Sequence, residues 1–296
     1  MVPKIIDEVL LGISEGTETE IAFFGGSFTG IDRALMIRML DIAQGYIDRG
    51  RVKSIRLSTR PDYIDEERIE ILSRYGVKTV ELGIQSMRDR VLSASNRGHT
   101  AADTEKAMDL LLKAGFDAVG QMMIGLPESD IDDEIFTARR ICEMGAKGAR
   151  IYPTAVFAET ELENMRRRGE YIPLDTEDAV ERSCRVMQVF DEFGVKVIRV
   201  GLCENDGLHT DSGITAGSFH PAFGEICAGR MYRYKIENAV KDMDVKGKKL
   251  TVSVPKSDVS KAIGNKGVNR EYFIEKYGVS AFSVVSDAES DFVTIS

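Results

Sequence analysis

No run of about eighteen consecutive apolar residues occurs in the 296-residue chain, so the sequence offers no membrane-spanning helix. The amino terminus, Met1-Val2-Pro3-Lys4, also lacks the apolar stretch of a signal peptide, and a cytoplasmic address is the expectation. Cysteine is scarce: Cys142, Cys184, Cys203 and Cys227 stand far apart, in none of the short spacings that bind zinc or iron–sulfur groups. A reducing compartment argues against structural disulfides among them. Cys142 and Cys184 fall in helix-like runs, where a thiol packs as a small hydrophobe, whereas Cys203 and Cys227 fall in loop-rich sequence. Positive charge is in deficit: 39 Lys+Arg against 48 Asp+Glu give a net charge of -9. The surface as a whole therefore does not gather polyanions, and any nucleic-acid site has to be a local basic patch. No Gly-Lys-Ser/Thr follows Gly25-Gly26, which excludes a Walker loop, and no acid–base dyad stands out.

What is present is enough apolar sequence, 43%, to bury a substantial core, which excludes a disordered tail or a coiled coil. Ile5, Ile6, Val9, Leu10 and Ile13 recur at helical spacing, so the chain opens with an amphipathic helix. Five strand-then-helix units follow, with strands predicted near 20–24, 52–58, 77–83, 117–124 and 148–153. Their helices fall near 31–48, 65–75, 101–114, 130–144 and 175–193, and a further strand covers Val195 to Val200. Such alternation means a parallel sheet, either curled into a full or partial barrel or open and doubly wound. In both arrangements the C-terminal strand ends carry the binding loops. Here those ends are polar or glycine-rich: Gly25-Gly26-Ser27, Ser58-Thr59-Arg60-Pro61, Gly83-Ile84-Gln85-Ser86, Gly125-Leu126-Pro127 and Tyr152-Pro153-Thr154.

Gly25-Gly26 allows a ligand to approach the backbone, with Ser27 and Thr29 as hydroxyl partners, although a tight turn explains a lone glycine pair equally well. Gln85 and Ser86 end the third strand, Arg97 and His99 follow, and Gln121 sits inside an apolar run. The plain alternatives are a hydrogen-bonded core amide for Gln121, a solvated helix-cap charge for Arg97 and ordinary surface for His99. Gly201 to Gly229, with His220-Pro221-Ala222-Phe223-Gly224-Glu225, reads as an ordered loop or lid, and helical periodicity resumes from Arg230 to Met243.

Taken together, Phe23-Phe24-Gly25-Gly26-Ser27-Phe28-Thr29-Gly30, Ser58-Thr59-Arg60-Pro61-Asp62, Leu82-Gly83-Ile84-Gln85-Ser86, Arg97-Gly98-His99-Thr100 and Met122-Met123-Ile124-Gly125-Leu126-Pro127 occur in a characteristic order. With Ile151-Tyr152-Pro153-Thr154 they resemble the radical S-adenosylmethionine enzymes, in the branch of the Elongator catalytic subunit and the oxygen-independent coproporphyrinogen oxidases, across residues 1–228. The resemblance implies an α/β fold, a partial (β/α)6 TIM-like barrel lacking its first strand. It also implies S-adenosylmethionine as cofactor, with Gly25, Gly26 and Ser27 at its methionine moiety and Gln85 and Arg97 at its ribose and carboxylate side. Ser58 and Gln121 occupy cofactor-facing positions where relatives often carry Glu and Asp or His. Tyr152 and His220 fall on the substrate side. Relatives bind a [4Fe–4S] cluster through Cys-x3-Cys-x2-Cys, receive an electron from a donor such as flavodoxin or ferredoxin, and generate a 5′-deoxyadenosyl radical. No such triplet stands in this sequence, so its expected place is upstream of Met1, in which case this chain alone is inactive. The alternative is a cluster-less protein that binds RNA or an adenosyl ligand.

After the charged turn Lys246-Gly247-Lys248-Lys249, a small α+β module over 245–296 reads as strand, short helix, Gly264-Asn265-Lys266-Gly267, helix and strand, which resembles a KH domain. The resemblance implies that this loop clamps a single-stranded RNA backbone, with Lys256, Lys261, Lys266 and Arg270 supplying positive charge. A plain helix–helix turn is the alternative. The expected division is a barrel core over 1–200, an extension with a linking helix over 201–244 and the KH-like module over 245–296. The expected function is radical chemistry on RNA, with tRNA as the favoured class and a small-molecule reaction like coproporphyrinogen oxidation as a further alternative.

Overall fold

The computed structural model describes residues 2–14, 16–202, 213–286 and 292–296, so Cys203 and the part of the expected lid at 203–212 lie outside the described residues. Two compact units emerge, one of residues 1–152 and 189–198 and the other of residues 153–188 and 199–296.

The first unit is built on a six-stranded parallel sheet curled into a half-barrel. Its strands are β1 (Glu20–Phe23), β2 (Ser54–Thr59), β3 (Val77–Gln85), β4 (Asp117–Ile124), β5 (Gly148–Pro153) and β7 (Lys196–Val200), lying side by side in that order. A partial TIM-like barrel is the architecture the sequence motifs implied. The intervening helices are α1 (Val2–Leu11), α2 (Arg33–Asp48), α3 (Glu66–Ser73), α4 (Asp89–Ala94), α5 (Ala101–Lys113) and α6 (Ile131–Glu143). Their starts are written in the sequence: Asp32 and Asp65 accept the backbone N–H of Leu35 and Arg68. Thr100 with Asp103, and Asp130 with Asp133, form reciprocal capping boxes.

The strand period of two sorts the side chains. Ile55, Leu57, Val80, Leu82, Ile84, Ala118, Met122 and Ile151 are fully buried toward the helices. The residues between them place Arg56, Ser58, Glu81, Gly83, Gln121, Arg150 and Tyr152 on the opposite, concave face; in register, Ser58 pairs with Glu81, Glu81 with Val119, and Gly83 with Gln121.

The second unit contains β6 (Ala155–Phe157) paired antiparallel with β8 (Ile214–Gly217), the helix α7 (Glu161–Arg167) and a three-stranded sheet. In that sheet β9 (Lys249–Val254) runs parallel to β10 (Ala281–Ser286) and antiparallel to β11 (Phe292–Ile295). The helix α8 (Thr176–Glu192) has a residue range shared between the units. The helix α9 (Phe223–Val240) starts seven residues before the predicted Arg230, because Phe223 and Cys227 are buried one turn apart beside Cys184. The described part of the expected loop at 201–229 therefore holds a strand and the first turns of a helix. The helices α10 (Val259–Ile263) and α11 (Val268–Tyr277) flank Gly264-Asn265-Lys266-Gly267 and share a core with α9 and the sheet through Ile236, Val252, Ala262 and Phe273. Cys142, Cys184 and Cys227 are buried free thiols. Among the described residues no helix is long and apolar enough to cross a membrane.

Glu163, 2% exposed, ties α7 to β8. Hydrogen bonds from Arg166 first, then Thr215 and Arg167, hold its carboxyl down at about 2 against an ordinary 4.5. A depressed carboxylate contributes stability that is complete above its ordinary value and lost as pH falls toward the folded value. The urea midpoint of wild type over Glu163→Gln should therefore be higher at pH 6 and converge with it between pH 4.5 and 2. An undiminished gap at pH 3 would show that the carboxylate is not the source.

Candidate functional site

At the C-terminal end of β1 the chain turns through Gly25, whose φ of +101° is a conformation a side chain would strain, while nothing lies within 4 Å of where a Cβ on Gly25 or Gly26 would stand. Both glycines thus leave open space above the strand. The Ser27 hydroxyl has no hydrogen-bond partner among the described residues, and Ser58 Oγ donates only a long bond, 3.4 Å, to the Gly26 carbonyl. Thr29 differs from its sequence-based reading: it is buried, its hydroxyl lies 2.6 Å from that of Thr59, and it donates to the Tyr63 carbonyl at 2.7 Å. Its role is to fix the turn, which leaves Ser27 as the open hydroxyl of this loop.

The end of β3 is irregular. Pairing with β4 jumps from Gly83–Gln121 to Gln85–Met122, a bulge at Ile84, and Gln85 is held at φ +65°. A non-glycine residue at positive φ costs about 1 kcal/mol or more and persists only where the surroundings impose it. His99, 6% exposed, supplies part of that constraint through Nε2, 3.1 Å from the Ile84 carbonyl. The bulge turns the Gln85 side chain back over Gly83, where a Cβ would stand 2.8 Å from its Nε2. Its Oε1 is buried without a hydrogen-bond partner.

Arg97 stands beside the end of β4, with Nη2 against the Met123 sulfur and Nε buried without a partner. Burial, and then the charge of Arg60, push its guanidinium below the usual arginine range. Arg60 is neutralised by a bidentate pair with Asp62, at 2.9 and 2.7 Å, whereas Arg97 has no carboxylate within ion-pair distance among the described residues. An uncompensated guanidinium and an orphaned amide oxygen at the mouth of a parallel sheet fit a ligand carrying a carboxylate and hydrogen-bond donors. Gln121 lies on the same concave face, half-buried. Tyr152 joins it there, its hydroxyl 3.5 Å from Arg150 Nη1.

Beneath these groups Glu81, 1% exposed, is gripped by Arg56 at 3.0 Å and Arg150 at 2.7 Å, and Arg56 also reaches Glu20 at 3.1 Å. The guanidinium of Arg150 lies 5.5 Å from the ring of Phe24, itself half-exposed. The floor of the concave face is therefore ionic rather than apolar, a feature that an Arg or Glu in a strand does not disclose until the strands are set side by side.

In the second unit, Gly264 (φ +80°), Lys266 (φ +55°) and Gly267 (φ +82°) form a tight turn opening α11. His220 precedes α9 and accepts the Ala222 backbone N–H through Nδ1 at 3.0 Å. Of the basic residues expected near the turn, Lys261 is paired with Asp258 at 2.5 Å, and Lys256, Lys266 and Arg270 have no acidic partner among the described residues.

The chain matches the Radical SAM superfamily over residues 2–139 and the Radical SAM C-terminal domain over residues 146–233. It is 28% identical over 244 residues to the tRNA uridine(34) acetyltransferase of Methanocaldococcus jannaschii, covering 81% of this chain and 43% of that protein. Against human Elongator complex protein 3 it is 31% identical over 160 residues, covering 52% of this chain and 29% of that protein. The solved structure of archaeal Methanocaldococcus infernus Elp3 with an N-terminal deletion superposes with a TM-score of 0.65 at 25% identity, covering 80% of this chain and 57% of that one. The chain thus spans less than half the length of these two curated relatives.

Replacing Glu81 by Ala leaves Arg150 without a carboxylate and Arg56 with Glu20 alone, in a largely buried setting, and should cost about 3 kcal/mol in chemical denaturation. A loss below about 1 kcal/mol, the worth of an exposed ion pair, would mean that solvent already screens the cluster.

Proposed function

The chain belongs to the radical SAM superfamily, and from that membership we propose that its half-barrel binds S-adenosylmethionine and serves chemistry on RNA, with tRNA as the substrate class. One observation carries the cofactor reading: Arg97 without a carboxylate and Gln85 with an unsatisfied buried oxygen flank the C-terminal end of the sheet. In this reading Arg97 receives the methionine carboxylate, and Gln85 accepts from a ribose hydroxyl. Ser27 and the open backbone of Gly25-Gly26 take the methionine amino group. Ser58 and Gln121 line the same face, and Tyr152 borders the substrate side. When bound in enzymes of this superfamily, the cofactor supplies a 5′-deoxyadenosyl radical that abstracts hydrogen from substrate. The protein's own part is to orient the cofactor and exclude water above the ionic floor.

The residues present do not fit a [4Fe–4S] cluster. The four cysteines form no Cys-x3-Cys-x2-Cys, and among the described residues no group of three or more His, Cys, Asp or Glu could hold a metal ion. That cysteine pattern favours a second reading, a cluster-free protein that binds an adenosyl ligand and RNA. For the RNA side, the order β9, α10, Gly264-Asn265-Lys266-Gly267, α11, β10 supports a KH-like clamp. The similarity to the archaeal tRNA uridine(34) acetyltransferase supports tRNA.

Titration calorimetry with S-adenosylmethionine tests the cofactor site. Arg97→Ala should weaken binding by about tenfold or more, the worth of a charge-assisted hydrogen bond, and Ser27→Ala by less. Wild-type affinity in both variants, or no binding by wild type, would overturn the assignment.

A further inference from the structure

Within the second unit a cleft of about 270 Å³ opens between α9 and the turn at Gly264–Gly267, with His220, Arg230, Arg233, Asn265, Lys266 and Asn269 among its lining residues. Its charges are not balanced. Arg230 is matched by Glu177 at 2.7 Å and Glu181 at 3.4 Å. Arg233 has no carboxylate within ion-pair distance among the described residues: its Nε donates to the neutral Asn269 Oδ1 at 3.0 Å, and its guanidinium lies 4.1 Å from the Tyr272 ring centroid. Burial and the Arg230 charge both work against its protonated form, yet a guanidinium stays charged in proteins. Lys266, across the cleft, makes no ion pair and is held at φ +55°, where a residue other than Gly, Asn or Asp is strained.

The walls are tied together by hydrogen bonds. Asn269, 1% exposed, donates to the carbonyls of Gly229 at 2.8 Å and Ala262 at 3.1 Å while accepting from Arg233. A single side chain thus couples α9, α10 and α11 and fixes the direction of the Arg233 guanidinium. A Cβ on Gly229 would stand 3.2 Å from the Gly264 Cα, so glycine at 229 permits the close approach of α9 to the turn. Because His220 Nδ1 accepts a backbone N–H, its neutral ring carries the proton on Nε2 as a further donor. The cleft therefore presents fixed donors and two unneutralised cations, with its one acidic lining residue, Glu177, held by Arg230, in a chain whose net charge is -9.

We propose that this cleft holds one phosphate of single-stranded RNA, with Arg233 of α9 and Lys266 of the turn as its two cationic walls. The proposal rests on the RNA reading above and deepens it. The recognition surface is a composite: the glycine turn supplies the approach and one cation, Lys266, and the second cation, Arg233, comes from α9, outside the turn. A cleft of this size takes a single nucleotide unit rather than the two-groove face that a duplex presents.

Fluorescence anisotropy of the full chain with a labelled single-stranded RNA oligonucleotide, across a series of salt concentrations, provides the test. Arg233→Gln and Lys266→Asn, the latter tolerant of positive φ, should each weaken binding about tenfold and lower the salt slope by about one. Lys241→Ser, an exposed lysine just beyond α9, should leave affinity and slope near wild type. If Arg233→Gln proves unfolded by circular dichroism, Lys266→Asn on the turn decides. RNA binding by wild type that both folded variants retain, with the same slope, would overturn the cleft and leave the RNA reading standing. No RNA binding by wild type would overturn the RNA reading and the cleft with it.

Discussion

A buried carboxylate shared by two guanidiniums sets the character of the half-barrel. Glu81 joins Arg56 of β2 to Arg150 of β5, bridging strands that are not neighbours in the sheet, and Arg56 extends the chain to Glu20 of β1. Removing these charges from water is costly, and only mutual pairing at 2.7 to 3.1 Å offsets the cost. One consequence is that the concave face does not fill with aliphatic side chains as the helix-facing side does. The hydrophobic core lies between sheet and helices, and the inner face is left for a polar ligand.

That separation explains why the strand ends carry unsatisfied groups without undermining the fold. Helix caps, aliphatic packing and the Thr29–Thr59 contact secure the scaffold. The bulge at Ile84 and the positive φ of Gln85 can then be held by neighbours such as His99. Strain of this kind is affordable where a rigid frame surrounds it. The orphaned Gln85 Oε1 and Arg97 Nε are expensive in an empty core but reasonable at a ligand site, where the partner arrives from outside. The second unit uses the same device differently, with Asn269 as a saturated hub that holds an unsaturated Arg233 in place.

Much of the secondary structure was legible in the sequence because periodicity survives wherever one face of an element is buried. Strands at 77–83 and 117–124 and helices at 101–114 and 130–144 were predicted to within two residues of β3, β4, α5 and α6. The helix expected directly after Gly264-Asn265-Lys266-Gly267 is α11, which starts at Val268. Some short elements were not legible: α4, α7 and the β6–β8 pair lie outside the strand–helix alternation and are too brief to show a period, and the start of α9 was masked by Gly224 and Pro221. At the site, Ser27, Gln85 and Arg97 could be singled out from their positions at strand ends and from the resemblance of their motifs. Thr29 could not be separated from Ser27 as an internal tie, since a hydroxyl's partner depends on which strands come together.

The sequence by itself determined the alternation of strands and helices, the family and the positions of the polar strand ends, because these follow from local period, turn chemistry and motif order. Tertiary structure alone decided which charges are neutralised: Arg230 by Glu177, Glu81 by two arginines, and Arg97 and Arg233 by no carboxylate. Pairing is a matter of distances of 3 to 4 Å between residues remote in sequence, and Coulomb and desolvation energies change steeply over that range. No one-dimensional pattern encodes it; only the folded register of strands and helices does.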